Sequence, residues 1–118
     1  MFQNQRVSQR IPCDGDGFLI FPEERPGMQV VNLSRGGACL MVDLEIWAAL
    51  EDMSQVAGGM RVSGRDFRFT GRICWSLIED MKVRFGLEFL EWDKEILEHV
   101  IEDLSVVSEE PPDNTFNL

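Results

Sequence analysis

The stretch Lys82-Val83-Arg84-Phe85-Gly86-Leu87-Glu88-Phe89 constrains the fold more than any other. Val83, Phe85, Leu87 and Phe89 take every second position, and Lys82, Arg84 and Glu88 stand between them. A helix cannot gather a period of two on one side, whereas a strand sends successive side chains to opposite faces. The stretch is therefore a strand with one buried face and one wet face. Phe67-Arg68-Phe69-Thr70-Gly71-Arg72-Ile73-Cys74-Trp75 opens with the same alternation, and Gly71 within it marks a bulge or bend. Shorter apolar runs at 18–21, 28–31, 38–42 and 60–62 bring the number of predicted strands to six. Turn chemistry lies between them. Asp14-Gly15-Asp16-Gly17 and Glu23-Glu24-Arg25-Pro26-Gly27 read as turns, Gly58-Gly59 as a break, Gly64-Arg65-Asp66 as a hairpin turn and Ser76 to Met81 as a loop. Six antiparallel strands with short connections lose their exposed edges by closing into a barrel.

Two segments have a helical texture instead. From Asp93 to about Val107, Ile96, Leu97, Val100, Ile101 and Leu104 form one stripe, with Glu95, Glu98, Glu102 and Asp103 away from it. That stripe packs on the barrel or, as the lesser reading, binds a partner. From Asp43 to Gln55, Leu44, Trp47, Ala48, Leu50 and Met53 suggest a short helix with Asp43 as N-cap. It serves either as a lid on the barrel or as a partner surface around Trp47, and the lid is favoured. The chain thus divides into a flexible polar arm (1–13), an all-β barrel (14–92), a C-terminal helix (93–108) and a disordered tail (109–118) rich in acids and proline.

Charge excludes some functions. The net charge is −10, but residues 1–85 hold eleven acids against ten Lys and Arg, while residues 86–118 hold ten acids against one lysine. The acidity therefore sits in the C-terminal third, and screening over roughly 8 Å leaves room for a local basic site elsewhere. It opposes non-specific binding to nucleic acid or anionic lipid. No apolar run approaches the roughly 20 residues of a membrane helix, and the first residues lack a signal-peptide core. Cys13, Cys39 and Cys74 are odd in number and widely spaced, which favours small apolar packing in a reducing compartment over disulfides or zinc. Asp14-Gly15-Asp16-Gly17 is a poor calcium loop, because Arg25 stands where a glutamate would close it. His99 is the single histidine, on an acidic helix, and no nucleophile elbow, phosphate loop or metal motif occurs, so an enzyme is not expected.

Two short motifs remain. Asn32-Leu33-Ser34-Arg35-Gly36-Gly37 lies between two predicted strands. Its glycines permit positive φ, and its Asn and Ser can bond their own backbone, so it reads as a hairpin turn. Free amides, a hydroxyl and a carboxamide would equally suit a phosphate or a base edge. Upstream, Arg6-Val7-Ser8-Gln9-Arg10 sets two arginines four apart before Ile11-Pro12, in a segment too polar and proline-bound for a helix. Arg-x-x-x-Arg, then about twenty residues, then [Asp/Asn]-x-Ser-x-x-Gly resembles the PilZ domain family. Gly71 to Trp75, Phe85 to Phe89 and the closing helix extend the resemblance over nearly the whole chain.

The resemblance implies a six-stranded antiparallel PilZ-like barrel that binds cyclic di-GMP in the bacterial cytoplasm and signals to a protein partner controlling motility, adhesion or exopolysaccharide. It implies no cofactor, no nucleic acid, no membrane insertion and no catalysis. Carried over by position, Arg6, Arg10, Asn32, Ser34 and Gly37 contact the nucleotide, with Gln9 and Trp75 beside it; a place in the barrel wall is the equal alternative for Trp75. Asn32 stands where many members carry Asp, which keeps a donor and an acceptor but removes a charge. Gln5 stands where many carry a further arginine. The alternative function is that of relatives that act as protein-binding adaptors without nucleotide.

Overall fold

The alternation at 82–89 is realised as a wall of the core. The structure, a computed structural model, describes residues 10–113, with side chains described over 10–105. Its elements are β1 (Ile11–Leu19), β2 (Gly27–Leu33), β3 (Gly37–Asp43), α1 (Leu44–Leu50), β4 (Val56–Val62), β5 (Arg65–Glu79), β6 (Lys82–Trp92) and α2 (Lys94–Asp113). The strands close into an antiparallel barrel in the order β1-β2-β3-β6-β5-β4. Val83, Phe85, Leu87 and Phe89 point inward and are buried, meeting Leu33, Leu40, Val42, Met60, Phe67 and Phe69 from the other strands. Burying each such side chain contributes about 1.5–3 kcal/mol, which makes this interior the main source of stability.

The two helices close the two ends. α2 buries Leu97, Val100 and Ile101 and lies against β1 and β5. Two exposed ion pairs hold it at the end where β3 begins: Arg35 to Glu98 and Arg65 to Asp103, 2.8 and 2.9 Å. α1 follows β3 at the opposite end, where Trp47 is buried with its ring 5.4 Å from that of Phe85. The lid reading of this segment therefore holds. The helix is shorter than expected, and Asp43 makes no side-chain cap. Its carboxylate pairs instead with Lys82 at 3.2 Å.

Several expected punctuation marks are strand. Asp14-Gly15-Asp16-Gly17 lies within β1, Gly58-Gly59 within β4, and the last residues of the predicted arm, 11–13, begin β1. The reason is steric. β1 meets β4 over the pairs Asp16–Arg61, Gly17–Met60, Phe18–Gly59 and Leu19–Gly58. A Cβ on Gly15 would fall 2.8 Å from the Arg61 carbonyl oxygen, one on Gly17 would overlap the Gly59 carbonyl, and one on Gly59 would fall 2.8 Å from the Phe18 ring. These glycines let two strands approach; they do not turn the chain.

The predicted loop at Ser76 to Met81 is likewise mostly strand. β5 runs on to Glu79, and the reversal needs only Asp80 and Met81, at φ 49° and 68°. Two consecutive left-handed residues match the right-handed twist of a hairpin. The β4–β5 reversal sits at Ser63-Gly64, φ 55° and 76°, one residue ahead of its predicted place. α2 continues to Asp113, past the proline pair at which the sequence reading ends it, so the expected tail overlaps helix over 109–113; 114–118 lie outside the described residues. The apolar stripe that signals the helix ends at Leu104, well before the backbone helix does.

The β1–β4 seam sets a clear expectation. Gly17→Ala should lower the unfolding free energy by about 1–3 kcal/mol through overpacking. Urea denaturation followed by tryptophan fluorescence measures it, and wild-type stability would show that the seam is loose.

Candidate functional site

The turn between β2 and β3 is built from its own side chains outward. Ser34 is buried, with its Oγ accepting the Gly36 N–H and donating to the Gly37 carbonyl, each at 3.3 Å. The Ser34 N–H donates to the same carbonyl at 2.9 Å. The Gly36 carbonyl accepts the Phe89 N–H at 2.8 Å, which ties the turn to β6. A Cβ on Gly37 would overlap the Leu87 carbonyl. Gly36 and Gly37 are not at positive φ; Gly64 is the one glycine of the described residues that is. The glycine requirement at 37 comes from contact with β6, and the Ser34 hydroxyl holds the turn itself.

Asn32 and Arg10 are different, because their polar atoms face outward. β2 bulges between Val30 and Asn32, and β1 between Pro12 and Gly15, where the ladder passes through the Pro12–Asn32 pair. Arg10 stands one residue before β1. Its Nη1 donates to Asn32 Oδ1 at 3.1 Å, across 22 residues of sequence. The partner is a neutral amide, so the guanidinium keeps its whole charge. By contrast Arg35, Arg61, Arg65, Arg72 and Arg84 each hold a carboxylate. Among the described residues nothing accepts from the Asn32 amide nitrogen, which keeps its two donors. Arg6 and Gln9 lie outside the described residues.

A row of residues runs from Asn32 across the outer face of the barrel. Asn32 pairs with Cys39, Cys39 with Gly86, and Gly86 with Trp75. At roughly 5 Å per strand, the row spans about 15 Å. Trp75 stands at its far end, 42% exposed. A Cβ on Gly86 would collide with the Trp75 indole, so the ring lies across bare backbone and shows its other surface to solvent. Trp75 is therefore an outer-face residue and no part of the core. Cys39, in the floor, has its thiol pKa pushed up by burial, an effect that Arg10 and Arg84 partly oppose. Both cations thus reach this face.

Arg84 is the residue that the sequence reading missed. The β6 alternation already placed it outward, but nothing in the motifs marked it. It neighbours a concavity of about 380 Å³ lined by Val31, Met41, Lys82, Glu79 and Asp80. A wider groove of about 710 Å³ lies elsewhere, between β1, β4 and β5. It holds no motif residue, and its cations are engaged: Arg61 with Asp66, and Arg68 5.7 Å above the Phe18 ring. The motif face has the better chemistry for an anion with planar bases, because it combines a guanidinium that meets no carboxylate among the described residues, an amide and an open indole.

Arg35, between Ser34 and Gly36, connects this face to α2. Its Nε and Nη2 donate to Glu98 at 2.8 and 3.0 Å. The bond to Arg35 holds the Glu98 carboxyl below its ordinary value. A depressed folded-state pKa means that the tether is present at neutral pH and is lost as pH falls through that lowered value.

The model of the PilZ domain family matches residues 4–105. No curated protein matches the sequence. Among solved structures, the chain is similar to the Bacillus subtilis inhibitor of motility (MotI/DgrA), with TM-score 0.70 and 15% identity, over 89% of this chain and 52% of that one. It is similar to Borreliella burgdorferi PlzA in complex with c-di-GMP, with TM-score 0.56 and 11% identity, over 94% and 50%. It is also similar to the PilZ domain of Escherichia coli YcgR with c-di-GMP, with TM-score 0.55 and 14% identity, over 90% and 93%. The chain spans about half the length of the first two. At these identities the likeness is one of fold.

The bonding of Ser34 separates turn stability from ligand contact. Ser34→Ala should cost about 1–2 kcal/mol of folding stability in the absence of any ligand, since it removes the buried hydroxyl that bonds both the Gly36 N–H and the Gly37 carbonyl. Chemical denaturation of the purified variant checks this; unchanged stability would return Ser34 to a purely ligand-facing role.

Proposed function

The chain belongs to the PilZ domain family, and from that membership we propose that it is a receptor for cyclic di-GMP. The dinucleotide would lie on the outer face of β2, β3, β6 and β5, held by Arg6, Arg10 and Asn32, with Gly37, Gln9 and Trp75 beside it. The observation that supports this most directly is the bond between Arg10 and Asn32, which joins the two separate motifs at one place on the surface. Cyclic di-GMP carries two phosphates and two guanines. An arginine whose charge is not neutralised can pair with a phosphate or fork onto guanine O6 and N7. The Asn32 amide can donate to a base edge, and the open side of Trp75 offers a stacking surface. The solved PlzA and YcgR structures named above contain this nucleotide, which supports the same reading here.

A receptor needs an output. The Arg35–Glu98 tether joins the motif turn to α2, so a ligand that moves Arg35 would be felt on that helix and by a protein partner docked there. The proposal places the receptor in the bacterial cytoplasm, with no catalytic step and no cofactor. No helix of the described residues is long and apolar enough to cross a membrane.

Titration calorimetry with cyclic di-GMP, using GTP as control, tests the reading. Binding at micromolar strength or tighter is expected, about −8 kcal/mol or better, with none for GTP. Arg10→Ala should lose roughly 1.5–3 kcal/mol of that, as for a charge-assisted hydrogen bond. Arg10→Lys should be nearly as damaging, because a point charge cannot form the fork. Absence of both heat and any rise in melting temperature would transfer the assignment to a nucleotide-free adaptor.

A further inference from the structure

Barrel closure leaves one strand edge open. β4 pairs with β5 from Val62–Arg65 up to Val56–Gly71 and no further. β5 continues for eight residues, Arg72-Ile73-Cys74-Trp75-Ser76-Leu77-Ile78-Glu79, hydrogen-bonded to β6 on one side. Among the described residues nothing pairs with its other side. The segment has few of the devices that protect such an edge: it has one bulge at Cys74 and a charge at each end, but no proline, no lysine and, among the described residues, no covering helix. Its residues favour strands, and three large apolar ones stand exposed, Trp75, Leu77 and Ile78 at 42, 50 and 57%.

The order of residues along this edge is self-complementary. Its two faces follow from the pairing with β6. Arg72, Trp75, Leu77 and Glu79 stand opposite Glu88, Gly86, Arg84 and Lys82 and point outward; Ile73, Ser76 and Ile78 stand opposite Leu87, Phe85 and Val83 on the other face. Cys74 is the extra residue of a bulge between Ile73 and Trp75. Consider two copies antiparallel about a two-fold axis at Ser76. Ser76 meets Ser76, Trp75 meets Leu77, and, with Cys74 bulged out, Ile73 meets Ile78 and Arg72 meets Glu79. Every pair joins side chains of one face: serine meets serine, apolar meets apolar, and Arg72 and Glu79, each already paired within its own chain with Glu88 and Arg84, meet cation to anion. A shift by two residues would set Trp75 against Glu79 and lose both ion pairs. Directly opposed pairs of these kinds are the stabilising unit of a sheet.

We infer that the open β5 edge pairs with the same edge of a second copy of this chain, antiparallel and centred on Ser76. The two motif faces then lie side by side on one continuous sheet surface, with Trp75 at the junction. The inference stands on the edge itself and does not depend on the ligand.

Sedimentation velocity of the full chain without nucleotide is the first test, and a concentration-dependent shift to the mass of two chains is expected. Ile78→Lys, at a position exposed enough to leave the fold intact by circular dichroism, should weaken the pairing at least about tenfold. Ser76→Cys in a Cys74→Ser background should form an intermolecular disulfide under mild oxidation. Opposed Cα atoms in an antiparallel pair are roughly 4.5–5.5 Å apart, within disulfide reach. Gln29→Cys, exposed on β2, should not cross-link. A monomer at every concentration with no cross-link at 76 would overturn the inference. So would a dimer indifferent to both variants, since its contact lies elsewhere. Slow amide exchange over 72–79 in a proven monomer would also overturn it, by showing that the chain covers its own edge.

Discussion

The molecule depends on the short seam between β1 and β4. Only there does the sheet meet itself, and it does so over few pairs, with Gly17 and Gly59 pressed against the opposing strand. If the seam opens, β1 becomes an edge strand and the interior loses a wall. The consequence for the site is direct. Arg10 stands one residue before β1, so its place beside Asn32 is set by how β1 docks. The position of the Arg10 guanidinium therefore rests on glycines in the far half of the strand that follows it.

Within the motif, the turn and the outward polar groups are built by different residues. Ser34 and Gly37 make the turn and fasten it to β6. Asn32, beside the β2 bulge, and Arg10, just ahead of β1, present polar atoms outward. The motif reads as one unit in sequence because a rigid turn and a free amide must be adjacent in the chain. Recognition geometry improves when the supporting shell is locked by its own hydrogen bonds. Here the buried hydroxyl does the locking and the exposed amide is left for a partner.

What the sequence discloses tracks what has one physical cause. The alternation at 82–89 has a single explanation, a half-buried strand, and it reads correctly; so does the stripe from Ile96 to Leu104. The joint presence of Arg10 and Asn32 was legible as a motif, though their contact was not. Glycine has several causes, and there the reading failed. Asp14 to Gly17 and Gly58-Gly59 resemble turns, yet they exist so that β1 and β4 can approach. Ser76 to Met81 resembles a loop because its apolar residues lack a buried face, and they lack one because the hairpin outruns the barrel. Arg84 was hidden by its ordinariness: alternation says that it points outward, and only the fold says toward what.

The excess of acid counts against an anionic ligand only until its anchoring is considered. Glu98 and Asp103, on α2, are held by Arg35 and Arg65 at the end of the barrel. Each carboxylate so held is neutralised in place and kept off the outer face. The motif face keeps a different balance, in which Arg10 is bound to an amide and Arg84 to a single glutamate. A chain of net charge −10 can therefore carry a local cationic surface without contradiction. The same arrangement makes the Arg35–Glu98 bond more than a surface ion pair worth under about 1 kcal/mol. Its larger consequence is positional, since losing it would release Glu98 beside the turn and unfasten that turn from the helix that closes the barrel.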